Sequence, residues 1–187
     1  MEMLELIKKR YSPRGFFDKQ VSEEDLNKLF DAARWAASSY NGQSWRFIYA
    51  DKGSNPELYQ ILLDLLVEFN QAWAKGAPVL ILSLARVKYE HSGEDYKHAW
   101  HDLGLAVGTM SVMAESLGIS LHQMGGFNAA KARTELNIPD RLEPVSMIAV
   151  GYGGLSGNLP LDIFKMEQMP RERKEIEDIV FNKPFEE

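Results

Sequence analysis

Arg10-Tyr11-Ser12-Pro13-Arg14 places two guanidiniums and a serine hydroxyl within five residues. Guanidinium forks take phosphate oxygens two at a time, and a hydroxyl adds a further donor. The same residues also suit a solvated basic turn. Ser38-Ser39-Tyr40-Asn41-Gly42-Gln43-Ser44-Trp45 carries two amide side chains on a polar stretch. Each amide donates and accepts, which fits the edge of a planar polar ring. It equally fits a turn whose Asn and Ser bond their own backbone. His98 and His101, with His91, Glu94 and Asp102 nearby, have the i, i+3 spacing that could share a metal. There is no H-E-x-x-H and no third ligand at a diagnostic spacing, so they read as the polar start of a helix. Gly151-Tyr152-Gly153-Gly154-Leu155-Ser156-Gly157 follows a strand-like run, but Ser156 stands at the third glycine position of a dinucleotide fingerprint. Asn158-Leu159-Pro160 follows where a helix should start, so the segment reads as a glycine-rich strand exit. P-loop, G-x-S-x-G and EF-hand patterns are absent.

The elements that must position these residues follow from periodicity. Residues 2–9 read as a short amphipathic helix, broken by Ser12-Pro13-Arg14-Gly15. Ser22 caps a second helix that the apolar stripe carries to about residue 37. Trp45–Ala50 is a strand, and 57–69 is an amphipathic helix after the turn Gly53-Ser54-Asn55-Pro56. Pro78–Leu84 is a continuous apolar run of strand length, expected to be buried on both faces. Ala99–Ile119 is a helix whose only charged residues are Asp102 and Glu115. Such a helix must be covered on more than one side, by the core, by a second subunit, or by both. Leu121–Gln123 and Val145–Val150 are strands, 128–136 is a helix capped by Asn128, and Ile179–Phe181 is a short β-like piece. Interleaved helices and few strands make the class α+β or α/β, with a sheet flanked by helices.

Composition sets the outer limits. The chain has 187 residues, 45% hydrophobic and 26% charged, which is one domain of ordinary globular make-up. There is no internal repeat and no linker. Cysteine is absent, which excludes disulfides, thiolate metal sites and a cysteine nucleophile. A net charge of −6 argues against broad binding to nucleic acid or an anionic membrane. The N-terminus lacks a signal-peptide pattern, and no apolar run reaches membrane-spanning length. The expectation is a cytoplasmic protein.

Taken in order, these segments resemble the nitroreductase-like FMN-dependent oxidoreductase family. The resemblance runs through Arg10-x-Ser12-x-Arg14-x-Phe16, then Ala33-x-x-Ala36-x-Ser38-x-x-Asn41-x-Gln43-x-Trp45-x-Phe47. It continues through Asn70, Ala77-Pro78, Asp102-x-Gly104-x-Ala106, Leu117-Gly118 and Gly125-Gly126-Phe127. It closes on Arg171 and Arg173-Lys174 ahead of Ile179-Val180. No single piece is specific; the ordered set is.

The resemblance implies a three-layer α/β/α fold with a mainly antiparallel central sheet. It implies one domain over residues 1–187 in an intertwined homodimer, with a tail of about 160–187 wrapping the partner subunit. The cofactor would be FMN. Arg10, Ser12, Arg14 and Arg173 would hold its phosphate and ribityl chain, with Tyr11 beside them and Arg171 as the alternative to Arg173. Asn41 and Gln43 would contact the flavin or its ribityl edge, with Ser38 in the same loop. Asn70 would read the pyrimidine ring. Gly125 and Gly126, after Met124, would bring backbone N–H groups near flavin N5, where glycine allows close approach.

The implied reaction is ping-pong transfer from NAD(P)H to a nitroaromatic, quinone or similar small acceptor, with no dedicated catalytic side chain and no metal. The alternatives are a specialised flavin dehydrogenase and a flavin-storage or redox-regulatory protein. Two departures stand out. Gln43-Ser44-Trp45 replaces Gln-Pro-Trp, and Trp73 occupies the position where many members carry a lysine that stabilises charge at flavin N1, with Lys75 two residues on.

Overall fold

The computed structural model describes residues 2–155 and 159–185. Ser156, Gly157 and Asn158, part of the glycine-rich strand exit, lie outside the described residues. In chain order the elements are α1 (Met3–Lys9), α2 (Glu23–Arg34), β1 (Trp45–Asp51), α3 (Pro56–Leu65), α4 (Glu68–Ala74), β2 (Val79–Arg86), α5 (Ala99–Ser116), β3 (Ser120–Met124), α6 (Ala129–Glu135), β4 (Leu142–Gly151) and α7 (Leu161–Glu167).

Local chemistry starts and stops these elements. Ser22 Oγ accepts from Asp25 N at 3.1 Å, Asn55 Oδ1 from Leu58 N at 3.3 Å and Asn128 Oδ1 from Lys131 N at 2.9 Å, capping α2, α3 and α6. After α5, Gly118 takes φ 71°, and Ile119 N reaches back to Ala114 O at 2.9 Å. That left-handed stop favours glycine, which has no Cβ to strain. It ends α5 at Ser116, ahead of the expected Ile119.

Two other expectations change. α2 ends at Arg34: Trp35 N divides its bond between Asp31 O and Ala32 O, and Ala36 N reaches only three residues back, to Ala33 O. The single helix expected over 57–69 is two. Leu66 turns to extended backbone, forms a β-bridge with Phe127, and Val67 N donates to Gly126 O at 3.0 Å. This tertiary bridge interrupts an unbroken apolar pattern, and it sets Asn70 in the first turn of α4 beside the glycines.

The sheet has the order β1-β2-β4-β3 and is antiparallel throughout. β2 is buried along its whole length. Its Val79, Ile81 and Ala85 face a core shared with α2 and α5, while Leu80, Leu82 and Leu84 face one shared with α3, α4, α6 and α7. This is the three-layer arrangement. A register shift between Ser83 and Leu84 falls opposite Pro144, which cannot donate to the ladder.

Within this one chain α5 is covered on one side. Gly104, Leu105, Gly108 and Thr109 are exposed, and Trp100 is 53% exposed. Beyond α7 the chain runs over the surface with a 3₁₀ turn at Ile176–Asp178. The β-like piece Ile179–Phe181 pairs with no strand here; a strand needs an edge to bond, and Val180 N closes instead on Ile176 O at 2.9 Å.

Candidate functional site

The amide loop between α2 and β1 is strained and clamped. Tyr40, Asn41 and Gln43 have φ of 51°, 54° and 47°. Left-handed backbone costs a residue with a Cβ about 1–2 kcal/mol, less for Asn. The clamp comes from α5, the segment before it, and strands β1 and β2. Asp102 Oδ2 accepts from Ser39 N at 2.8 Å and from Tyr96 Oη at 2.6 Å, and Tyr96 Oη also lies 3.2 Å from Ser39 O. Arg86 Nη2 donates to Gly42 O at 2.7 Å, Arg46 Nη1 to Gln43 O at 3.0 Å, and Ser44 Oγ to Ala99 O at 2.8 Å. Ser38 Oγ accepts from Gln43 N at 3.1 Å, so Ser38 closes its own loop. Gln43 Nε2 turns back to Asn41 O at 3.2 Å. A Cβ on Gly42 would stand 2.5 Å from Tyr96 Oη, so the ring seats directly under the loop.

Asp102 is 2% exposed. Burial alone would raise its carboxyl, but hydrogen bonds from Tyr96, His101 and Ser39 N outweigh that and hold it below the usual carboxylate range. Asp102 carried a readable signal, since a carboxylate in an apolar helix demands a partner. Tyr96 and Arg86 carried none.

The second part of the site joins α4 to the stretch after β3. Asn70 Nδ2 donates to Gly126 O at 3.1 Å. A Cβ on Gly126 would stand 2.7 Å from Asn70 Nδ2 and 3.0 Å from Val67 Cγ2, so a larger residue there would have to displace the Asn70 amide. A Cβ on Gly125 would meet nothing within 4 Å, which leaves that backbone facing open space. Met124 is 3% exposed and belongs to the core; only its backbone is left for a ligand.

The basic residues divide into two groups. Arg10, Arg171 and Arg173 line one cavity of about 320 Å³ with Ile7 and Lys8. Arg171 donates to Arg10 O at 2.5 Å and to Lys8 O at 2.6 Å, capping the C-terminal carbonyls of α1. Arg10 Nη1 lies 3.4 Å from Ser12 Oγ, and Arg173 Nη1 bonds Glu172 O at 2.7 Å. Burial, then the carboxylates of Glu167 and Glu115, push the Tyr11 hydroxyl up, against the opposing charge of Arg171.

Arg14 lines a different cavity, of about 390 Å³, with Trp73, Lys52 and Lys75. Its Nη1 pairs with Glu167 Oε1 at 3.3 Å. Arg14 Nε and Trp73 Nε1 are buried without a hydrogen-bond partner. Trp73 is a core residue, 2% exposed, packed on His122 with ring centroids 4.5 Å apart. Burial holds the His122 imidazole below its ordinary pKa, and its Nδ1 lies 2.9 Å from Pro13 O.

Among the described residues no group of three or more acidic or His side chains gathers to hold a metal; His101 bonds Asp102 instead. No described helix is long and apolar enough to cross a membrane.

Residues 7–152 match the model of the Nitroreductase family. A protein of Methanothermobacter thermautotrophicus named "Putative NADH dehydrogenase/NAD(P)H nitroreductase" is 31% identical over 157 residues, 81% of this chain and 78% of that protein. The "FMN reductase [NAD(P)H]" of Bacillus subtilis is 25% identical over 169 residues, 81% of this chain and 66% of its own length. Among solved structures, an oxidoreductase containing FMN superposes with a TM-score of 0.89 at 33% identity, covering 100% of this chain and 93% of that one.

Proposed function

Since the chain belongs to the nitroreductase family, we propose that it is an FMN-dependent oxidoreductase, moving reducing equivalents from NAD(P)H to small acceptors of the nitroaromatic or quinone type. The observation that carries this reading is the division of the donor groups. A cavity ringed by Arg10, Arg171 and Arg173 suits a dianionic phosphate, and elsewhere Gly125 borders open space beside Gly126, which Asn70 holds through its side-chain amide. A molecule with a phosphate at one end and a flat polar ring at the other uses both.

FMN, when bound, would supply the two-electron chemistry between a nicotinamide hydride donor and the acceptor. The chain's own residues bind and orient. Arg10, Arg171 and Arg173 neutralise the phosphate, with Ser12 and Tyr11 beside them. Asn70 has one N–H committed to Gly126 O and keeps its carbonyl oxygen to accept from a ring N–H. Arg14, whose Nε has no partner and whose side chain lines the cavity beside Trp73, is the donor expected for the ring's acceptor edge. Arg14 then supplies the cation that a lysine at the Trp73 position would give. Asp102 and Tyr96 hold the loop that carries Asn41 and Gln43.

The working form is a homodimer. Trp100, Leu105 and the glycines of α5 leave an apolar face open, and Ile176, Ile179, Val180 and Phe185 of the tail are each at least 60% exposed. A patch of that kind on one chain calls for a second copy to cover it.

The deciding experiment is an anaerobic spectrum of the purified protein. About one non-covalent FMN per chain is expected, with bleaching by NADH or NADPH and recovery on adding a quinone. FMN that no nicotinamide bleaches would make the protein a flavin carrier, and absence of FMN would overturn the reading.

A further inference from the structure

A third basic cavity borders the amide loop, and the binding of FMN assigns no task to its two arginines. It encloses about 320 Å³ and is lined by Asn41, Gly42 and Gln43 on one side and by Arg46, Arg86 and Glu90 on the other. Arg86 is 5% exposed, and its Nε is buried with no hydrogen-bond partner. A guanidinium so placed has given up its water and has donor capacity left over. Arg46 Nη2 donates to Glu90 Oε1 at 3.1 Å, and Arg86 Nη1 contacts the same oxygen.

One carboxylate oxygen therefore lies across two guanidiniums, the way an anion would be recognised there. Glu90 itself is a loose occupant: its side chain is 70% exposed, on an excursion whose residues 90–95 are exposed. The hydrogen bond from Arg86 and its charge keep the Glu90 carboxyl below the usual range, so it stands in as an anion at neutral pH. His91 is the other titratable wall beside Tyr89, and two guanidiniums against one carboxylate leave the cavity positive in a chain of net charge −6.

We propose that Arg46 and Arg86 form a subsite for the phosphates of the nicotinamide dinucleotide, with the Glu90 carboxylate as its displaceable stand-in. The inference rests on the reading of an FMN enzyme reduced by NAD(P)H. Such a donor must bring several negative charges to an acidic protein. The diphosphate of the dinucleotide carries two negative charges and more acceptor oxygens, against the single charge of the carboxylate it displaces. The cavity shares Asn41 and Gln43 with the loop assigned to the flavin, so a ligand seated there has its remainder beside the ring. Displacement swings Glu90 outward into water, where its exposed stem already lies.

The probe is ADP, which carries the phosphates without the nicotinamide, with adenosine as the phosphate-free control. Calorimetric titration should show ADP binding more tightly than adenosine. Glu90→Gln should tighten ADP several-fold by removing the competing charge. Arg46→Gln should weaken it about tenfold or more, the worth of a hydrogen bond to a charged group. KM for NADH should move in the same two directions, and adenosine should not distinguish the three proteins. Opposite shifts from two neighbouring substitutions cannot both come from damage to the fold.

Equal ADP affinity in all three proteins, or shifts of one sign, would overturn the subsite and leave Glu90 as a brace for the loop. A protein that holds no FMN, or whose FMN no nicotinamide bleaches, would instead overturn the functional reading. The ADP series, run on whatever form is purified, reads the subsite separately.

Discussion

Asp102→Ala should release the amide loop and, with it, the flavin. The carboxylate accepts from Ser39 N at 2.8 Å and from Tyr96 Oη at 2.6 Å. Hydrogen bonds to a charged group contribute about 1.5–3 kcal/mol each. Against them stand Tyr40 and Gln43, held left-handed at a cost of about 1–2 kcal/mol apiece. The clamp outweighs the strain, and without it the loop relaxes. Alanine also strands the Ser39 N–H, so a stability loss of about 3–4 kcal/mol is expected in urea unfolding. Rebuilding the loop around FMN would then cost about 2–3 kcal/mol, which is a 30- to 150-fold weaker Kd by flavin fluorescence titration, at about 1.4 kcal/mol per tenfold. Asp102→Asn separates charge from geometry. Its carbonyl oxygen can accept both bonds, and its N–H₂ can donate to His101 Nδ1, which faces Asp102 Oδ1 at 3.0 Å. It should lose only about 1–2 kcal/mol. If Asp102→Ala unfolds early yet holds FMN as tightly as the unaltered protein, the loop is no part of the flavin site and the reasoning fails.

Arg10→Ala combined with Arg173→Ala should weaken FMN by at least about tenfold and leave riboflavin, which has no phosphate, unchanged; equal losses for both ligands would move the phosphate elsewhere. Gly126→Ala puts a Cβ 2.7 Å from Asn70 Nδ2. It should cost about 1–3 kcal/mol by overpacking, and shortening Asn70 to Ala in the same chain should restore part of that in thermal melts. Burial disfavours the charged form of His122, so its folded pKa lies below that of a free imidazole. Its unfolded form takes up a proton as pH falls below about 6.5 while the folded form does not, so stability is full above that pH and declines beneath it. Asp102, whose folded carboxyl is depressed, adds a second loss only as pH falls below about 4. Urea midpoints between pH 8 and pH 4 should show the first decline in the unaltered protein and lose it in His122→Gln (about one proton's worth of slope).

Most of the fold was legible because its signals are local. The caps Ser22 and Asn128 and the stop at Gly118 act within a few residues, and the buried strand declares itself as an unbroken apolar run. The split of 57–69 into α3 and α4 was not legible, because its cause is a bridge to Phe127, sixty residues away. The same limit applied to the site. Arg10 and Arg14 are neighbours in sequence and read as one phosphate cluster. The fold sends Arg14 to Trp73 and Glu167 and brings Arg171 to Arg10 from the far end of the chain. Trp73 read as a flavin neighbour, and its 2% exposure shows it is also core. Tyr96 and Arg86 support the amide loop through backbone atoms, which leave no trace in residue type.

The order of strands has a consequence for synthesis. β2, buried at every position, bonds β1 through pairs such as Asp51↔Val79, which are close in the chain. Its other edge waits for β4, through Val79↔Val150. A ribosome adding about 5–20 residues each second needs several seconds to cross that gap. Throughout, Val79–Leu84 offers one bare edge and a run of six residues without charge or proline. Segments of that composition are what cross-β aggregates select. The nascent chain is therefore at greatest risk between the emergence of β2 and that of β4, and slowing translation inside that window should send more of it to aggregates or chaperones than slowing it afterwards.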